Sequence, residues 1–290
     1  MEVQNIEMKE KLSATLNKRP LFISGPCSAE TEEQVLQIAT DLKATGKIDM
    51  LRAGIWKPRT KPGLFEGIGA KALPWLQQEK KATGLPISVE VATAKHVEMA
   101  LHFDVDVLWI GARSTVNPFS VQEIADALRG VQIPVLVKNP IHPDLELWSG
   151  AIERLQKSGL DTIGMIHRGF SSYGNTKYRN APMWQLPIEM KRRYEGMMMI
   201  CDPSHICGNR SLLKEVAQKS MDLDFDGLML EAHPNPDEAW SDAKQQVTPA
   251  DYAKIIDQLV FRSESTAAQE FITALSKLRE QINQIDDELL

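Results

Sequence analysis

The chain has 290 residues, with 33 Lys plus Arg against 39 Asp plus Glu and a formal net charge of -6. Hydrophobic residues at 43% and charged residues at 25% are the proportions of a folded domain, and three cysteines exclude a disulfide-stapled scaffold. No apolar run reaches the ~20 residues of a membrane span, MEVQNIEMKEKL lacks a signal-peptide core, and the acidic balance argues against general nucleic-acid binding. A reducing cytoplasm is the expected home.

Residues 1–20 are polar and mixed, an N-terminal extension expected to cap one end of the fold. Short apolar runs then recur, each handing over to polar or glycine residues. They are Leu21 to Ile23, Met50 to Trp56, Ile87 to Val91, Val107 to Gly111, Pro134 to Lys138, Thr162 to His167, Met197 to Cys201 and Gly227 to Glu231. Helix-like periods lie between them, at Glu32 to Thr45, Ile68 to Thr83, Val121 to Leu128, Leu145 to Lys157 and Ser211 to Ser220. Gly46, Gly84 and Gly159 stand where helix C-caps belong. Strands apolar on both faces and alternating with helices predict a parallel α/β sheet, and eight of them predict a TIM (β/α)8 barrel over residues 21–260. The competing open sheet would carry a glycine fingerprint after its first strand, and GPCSAET is no dinucleotide loop.

Residues 261–266 read as a linker. In the last segment, 267–290, Phe271, Leu275, Leu278, Ile282, Ile285 and Leu289 repeat at spacings of 4, 3, 4, 3 and 4. That is a heptad-like stripe on a helix about 36 Å long, and it wants a partner.

Barrel chemistry sits where strands meet the following loops. Those positions carry Cys27, Arg52, Lys57, Arg59, Glu90, Arg113, Lys138, His167, Arg168, Asp202, His205, Glu231, His233 and Asp242. Cys27, His205, Glu231 and Asp242 offer one sulfur, one imidazole and two carboxylates, a mixed set suited to one transition-type divalent ion: Mn, Fe, Co or Zn rather than Mg. Arg52, Lys57, Arg59, Lys61, Arg113, Lys138 and Arg168 form a second group. Cations gathered in one ring on a net-acidic chain imply a multiply anionic ligand, with arginine forks matching phosphate and carboxylate. The loop Gly169 to Ala181 has no regular period; it reads either as a cover over the substrates or as an irregular connection.

The strings LFISGPCSAE, LRAGIWKPRTKP, IGARSTVNP, VLVKNP, IHRGF, CDPSH, LMLEAHPNPDEAWSD and AKQQVTP together resemble 3-deoxy-D-arabino-heptulosonate 7-phosphate (DAHP) synthase from Leu21 to Leu259. The resemblance implies an eight-stranded barrel in which Cys27, His205, Glu231 and Asp242 hold a divalent metal. It implies that Arg52, Lys57, Arg113, Lys138 and Arg168 bind phosphoenolpyruvate, and that Arg59 and Thr60 bind the aldose phosphate. Lys57 is expected to donate a proton to the aldehyde oxygen and Glu90 to orient or deprotonate water. The sister activity, 3-deoxy-D-manno-octulosonate 8-phosphate synthase, takes arabinose 5-phosphate. Its members resemble a KANRS-type sequence where this chain reads Lys57-Pro58-Arg59-Thr60, which favours erythrose 4-phosphate. A different metal-dependent barrel aldolase, a Schiff-base aldolase using Lys138, and a dead barrel acting through its tail are the other readings. The tail from Leu278 to Leu290 resembles the opening helix of the all-helical chorismate mutase, with Arg279 matching a carboxylate-binding arginine. That implies a bifunctional parent whose mutase domain is truncated here and inactive. A homodimer or higher homo-oligomer is expected, with no nucleic-acid or membrane partner.

Overall fold

The computed structural model describes residues 10–58, 62–174, 177–261 and 269–289, and separates into two units, Met1–Leu259 and Val260–Leu290. Eight strands, β1 (Leu21–Gly25), β2 (Met50–Ala53), β3 (Ile87–Val91), β4 (Val107–Ile110), β5 (Val135–Lys138), β6 (Ile163–His167), β7 (Met199–Cys201) and β8 (Gly227–Glu231), pair in sequence order into a closed parallel barrel. The barrel expectation therefore stands. Closure of β1 on β8 sets Gly25 opposite Glu231, which brings the loop after β1 beside the loop after β8.

Helices α1 (Glu32–Ala44), α2 (Leu73–Thr83), α3 (Ala94–His102), α4 (Pro118–Ala127), α5 (Leu145–Lys157), α6 (Gln185–Arg193), α7 (Leu213–Asp222) and α8 (Pro249–Asp257) connect the strands. Local chemistry starts them. Thr31 caps α1 through a hydrogen bond from the Gln34 N–H, an interaction worth about 1 kcal/mol. Val35, Ile38, Ala39 and Leu42 then bury the stripe that faces the barrel. At α4 the cap is Asn117 with Pro118 in the first turn, so the helix begins three residues before the expected Val121.

Two apolar layers result. One joins the outward strand residues to the helices; the other fills the barrel interior with Leu21, Ile23, Met50, Val107, Trp109, Leu136, Ile166, Met198, Ile200 and Met229. Residues 10–16 form a helical segment whose Leu16 joins this inner layer, and Lys11 Nζ donates to the Gly84 carbonyl at 3.0 Å. Residues 10–16 thus pack against the end of the barrel opposite the strand C-termini.

Strand β2 ends at Ala53, short of the expected Trp56. The backbone leaves the sheet at Gly54, where a Cβ would stand 2.2 Å from the Cys27 carbonyl oxygen. That close approach draws the loop after β2, with Lys57, over the loop after β1.

The second unit contains α9 (Gln269–Leu289). Phe271, Leu275, Leu278, Ile282 and Ile285 are exposed along it. Among the described residues no helix is long and apolar enough to cross a membrane.

Candidate active site

The mouth at the strand C-termini has Trp109 as its floor. Arg52 lies over the indole with its guanidinium carbon 4.9 Å from the ring centre, and Lys138 Nζ is 5.8 Å from it. The Trp109 indole N–H donates to Glu90 Oε2 at 3.1 Å. Gly111 leaves room for Glu90, because a Cβ there would come 2.1 Å from Oε1.

The four expected metal donors come together in pairs. Cys27 Sγ is 3.3 Å from Asp242 Oδ2, and His205 Nε2 is 3.7 Å from Glu231 Oε1. Lys57 Nζ sits 2.8 Å from the Cys27 sulfur, Arg52 Nη1 is 3.0 Å from Glu231 Oε1, and Arg179 Nη1 is 2.9 Å from Asp242 Oδ1. Among the described residues no three His, Cys, Asp or Glu stand as a ready coordination set. Cations hold the sulfur and the carboxylates instead. The donor chemistry nonetheless fits a divalent transition ion: His205 Nδ1 lies 2.8 Å from Asp202 Oδ2, and Nε2 faces Glu231. Neutral imidazole and ionised carboxylates are forms a cation takes up, and Lys57 beside Cys27 favours the thiolate that a cation needs, against the burial that favours the thiol.

The electrostatics follow from burial and these partners. Burial pushes the Cys27 thiol up to about 12; Glu231 adds to the rise and Lys57 opposes it. Burial also works against ionised Asp202, Glu231 and Asp242, but their cationic neighbours prevail and all three carboxyls lie below the usual range. Burial lowers His205, against the opposing pull of Asp202.

Among the cations, Arg52, Lys138 and Arg168 are 2%, 4% and 8% exposed. Two of them are matched by carboxylates of the chain itself. Arg52 pairs with Glu231, and Lys138 Nζ pairs with Asp202 Oδ2 at 2.8 Å. Arg52 still keeps a buried Nε without a partner among the described residues. Arg168 has no carboxylate partner among them; its guanidinium donates to the Gly169 carbonyl at 3.3 Å. Burial lowers it to about 10, opposed by Asp202 and reinforced by Arg179 and Arg113. Arg113 is exposed on the short helical turn Ala112–Thr115. Arg59, Thr60 and Lys61 lie outside the described residues.

Three strand-end residues do other work. His167 points away from the mouth, among Phe170, Trp184 and Phe225. His233 Nε2 meets Glu30 Oε2 at 3.3 Å, and Glu30 Oε1 accepts from the Trp240 N–H at 2.7 Å. These bonds tie the loop after β8 to the loop after β1. Asp202 serves His205 and Lys138 together, joining the donor group to the cation group.

Sequence reading missed Arg179, Gln245, Gln246 and the floor role of Trp109. Gln246 Oε1 accepts from the Cys27 N–H at 2.9 Å, and its Nε2 donates to the Ser241 carbonyl at 2.9 Å. Gln245 Nε2 donates to Glu231 Oε2 at 2.6 Å. The paired glutamines of AKQQVTP were the available signal, since amides buried in a loop need partners.

Fold and mouth together define a barrel protein of the enzyme type, with metal-suited donors and anion-suited cations at the catalytic end. A model described as the DAHP synthetase I family matches residues 4–266. The chain belongs to that family. It is similar to the phospho-2-dehydro-3-deoxyheptonate aldolase of Thermotoga maritima, 27% identical over 238 residues that cover 82% of this chain and 68% of the other. It is also similar to the 2-dehydro-3-deoxyphosphooctonate aldolase of Methylobacterium radiotolerans, 27% identical over 262 residues covering 84% and 89%. The crystal structure of the Thermotoga maritima DAHP synthase superposes with a TM-score of 0.75 at 26% identity, covering 83% of this chain and 68% of that one.

Proposed function

We propose that this mouth condenses phosphoenolpyruvate with erythrose 4-phosphate and water, giving 3-deoxy-D-arabino-heptulosonate 7-phosphate and phosphate. The observation that carries the reading is three cations buried at a barrel mouth, with Arg168 unmatched by any carboxylate among the described residues. A buried cation without a counter-ion is costly, and an anionic substrate offsets that cost when it binds.

Arg168 and Arg113 take the phosphate of phosphoenolpyruvate, and Lys138 and Arg52 take its carboxylate. The substrate methylene carbon then bonds to the aldehyde carbon. Water adds to the carbon bearing the phosphate ester, and the C–O bond to phosphate breaks. Lys57 delivers a proton to the aldehyde oxygen; its Nζ beside Cys27 supports that role. Glu90, oriented by Trp109, directs or deprotonates the water. Trp109 keeps the floor dry, which strengthens each charge interaction above it. Cys27, His205, Glu231 and Asp242 would hold one divalent ion, which would supply Lewis acidity toward the aldehyde. Lys138 is committed to Asp202, which argues against a covalent Schiff-base role.

Relatives of both acceptor types match this chain at 27% identity, so the acceptor is argued from Lys57-Pro58-Arg59-Thr60. Phosphoenolpyruvate consumption is measured with erythrose 4-phosphate or arabinose 5-phosphate, after chelation and again with manganese. Turnover of the four-carbon sugar alone, lost on chelation and restored by manganese, is the expected result. Turnover with arabinose 5-phosphate alone would reassign the acceptor, and chelator-resistant turnover would remove the metal. For the tail we propose the opening helix of a chorismate mutase, a reading supported by the continuous helix α9 and its apolar stripe.

A further inference from the structure

Arg179, in the loop after β6, reaches across to the loop after β8. Its Nη1 donates to Asp242 Oδ1 at 2.9 Å and to Gln245 Oε1 at 2.8 Å. Gln245 passes the connection on, its Nε2 meeting Glu231 Oε2 at 2.6 Å. One guanidinium therefore acts on both carboxylates of the donor group, directly on one and through an amide on the other.

The consequence for each carboxylate is orientation. With Oδ1 engaged by Arg179, Asp242 presents Oδ2 to the Cys27 sulfur at 3.3 Å. With Oε2 engaged by Gln245, Glu231 turns Oε1 toward His205 Nε2 at 3.7 Å, the oxygen that Arg52 Nη1 also reaches at 3.0 Å and would share with a bound ion. Asp242 also has a backbone φ of 49°, a left-handed conformation that residues other than glycine, asparagine and aspartate seldom adopt. The Arg179 bond holds it in place, as does Gln245, whose backbone N–H donates to the Asp242 carbonyl at 3.1 Å.

Arg179 is itself anchored. Its backbone N–H donates to the Cys207 carbonyl, and the neighbouring Asn180 side chain donates to the His205 carbonyl at 2.6 Å. Gly208 makes room for the arginine stem, since a Cβ there would stand 2.5 Å from Arg179 Cβ. A surface arginine pairing by chance would not be expected to have a glycine cleared beneath it and two acceptors on one nitrogen.

We infer that Arg179 is a positioning residue that orients Asp242 and Glu231 so that each offers one oxygen to the divalent ion. The inference rests on the metal reading above and adds to it a residue that touches neither metal nor substrate. Loss of a group that orients a ligand costs about 10- to 100-fold in metal affinity. Lysine can satisfy one of the two acceptors, so Arg179→Lys falls between wild type and Arg179→Ala.

The test uses the full chain, stripped with chelator and titrated with Co2+ alone. Calorimetry gives affinity, and the sulfur-to-cobalt charge-transfer band reports the Cys27 bond. Expected results are a wild-type band, Co2+ binding about 10- to 100-fold weaker in Arg179→Ala, and an intermediate value in Arg179→Lys. Thermal midpoints measured without metal identify any variant that has merely misfolded; for such a variant, Gln245→Leu, which cuts the link to Glu231, replaces it and is expected to weaken binding in the same sense. A folded Arg179→Ala with wild-type affinity and an unchanged band would overturn the inference and leave the metal reading intact. Absence of a charge-transfer band in the wild type itself would instead overturn the metal reading.

Discussion

Met50 and Arg52 lie two residues apart on β2 and continue one inward face, yet they belong to opposite environments. The same step recurs from Leu136 to Lys138, Ile166 to Arg168, Ile200 to Asp202 and Met229 to Glu231. Below the step the interior is apolar and self-sufficient; above it buried charges depend on one another or on a ligand. Trp109 spans the boundary, with its ring among the apolar residues and two cations over its face. The lower layer shows what holds the barrel together, and the upper layer shows what that stability is used to support.

The comparison can be broken most sharply on β5, where Leu136 and Lys138 represent the two layers. Lys138→Met leaves buried Asp202 without its cation and is expected to cost about 3–5 kcal/mol of stability along with turnover. Leu136→Ala opens a cavity and is expected to cost about 2–5 kcal/mol with substrate KM unchanged in the protein that remains folded. Denaturant unfolding and steady-state kinetics on both variants check this, and a raised KM in Leu136→Ala would deny the separation of layers.

A smaller effect sharpens the contrast with the outward face of β6. His167 is fully buried, and burial lowers its pKa to about 3, with Arg168 adding to the fall. The unfolded chain therefore takes up this proton near pH 6.5 while the native state does not. Stability is complete above that pH and falls as the pH drops toward 3, by about 2 kcal/mol between pH 6.5 and 5. His167→Leu is expected to flatten that slope in pH-dependent unfolding; an unchanged slope would assign the acid sensitivity to other groups.

The eight strands were legible because strands covered on both faces must be apolar throughout, and the barrel order followed from their alternation with helices. Cys27, His205, Glu231 and Asp242 were legible as residue types at strand exits. Their arrangement was less so. Nothing local relates Arg179 to Asp242, 63 residues away, because that contact exists only once the loops after β6 and β8 lie side by side. The neighbours His167 and Arg168 both read as strand-end candidates, and only the period-two alternation of the strand separates them, one outward among aromatics and one at the mouth. The early end of β2 depended on a backbone contact at Gly54 that no side-chain pattern encodes.

The central claim is that buried charge at the mouth is held there for an anionic substrate. It is tested most directly by phosphoenolpyruvate binding to wild type and Arg168→Met, measured by calorimetry beside each protein's thermal midpoint. The account predicts a variant at least as stable as wild type, because a buried cation without a carboxylate partner has been removed, and binding weaker by about 10- to 100-fold for the lost charge-assisted contacts. Equal binding, or a variant that loses stability as Lys138→Met does, would contradict it.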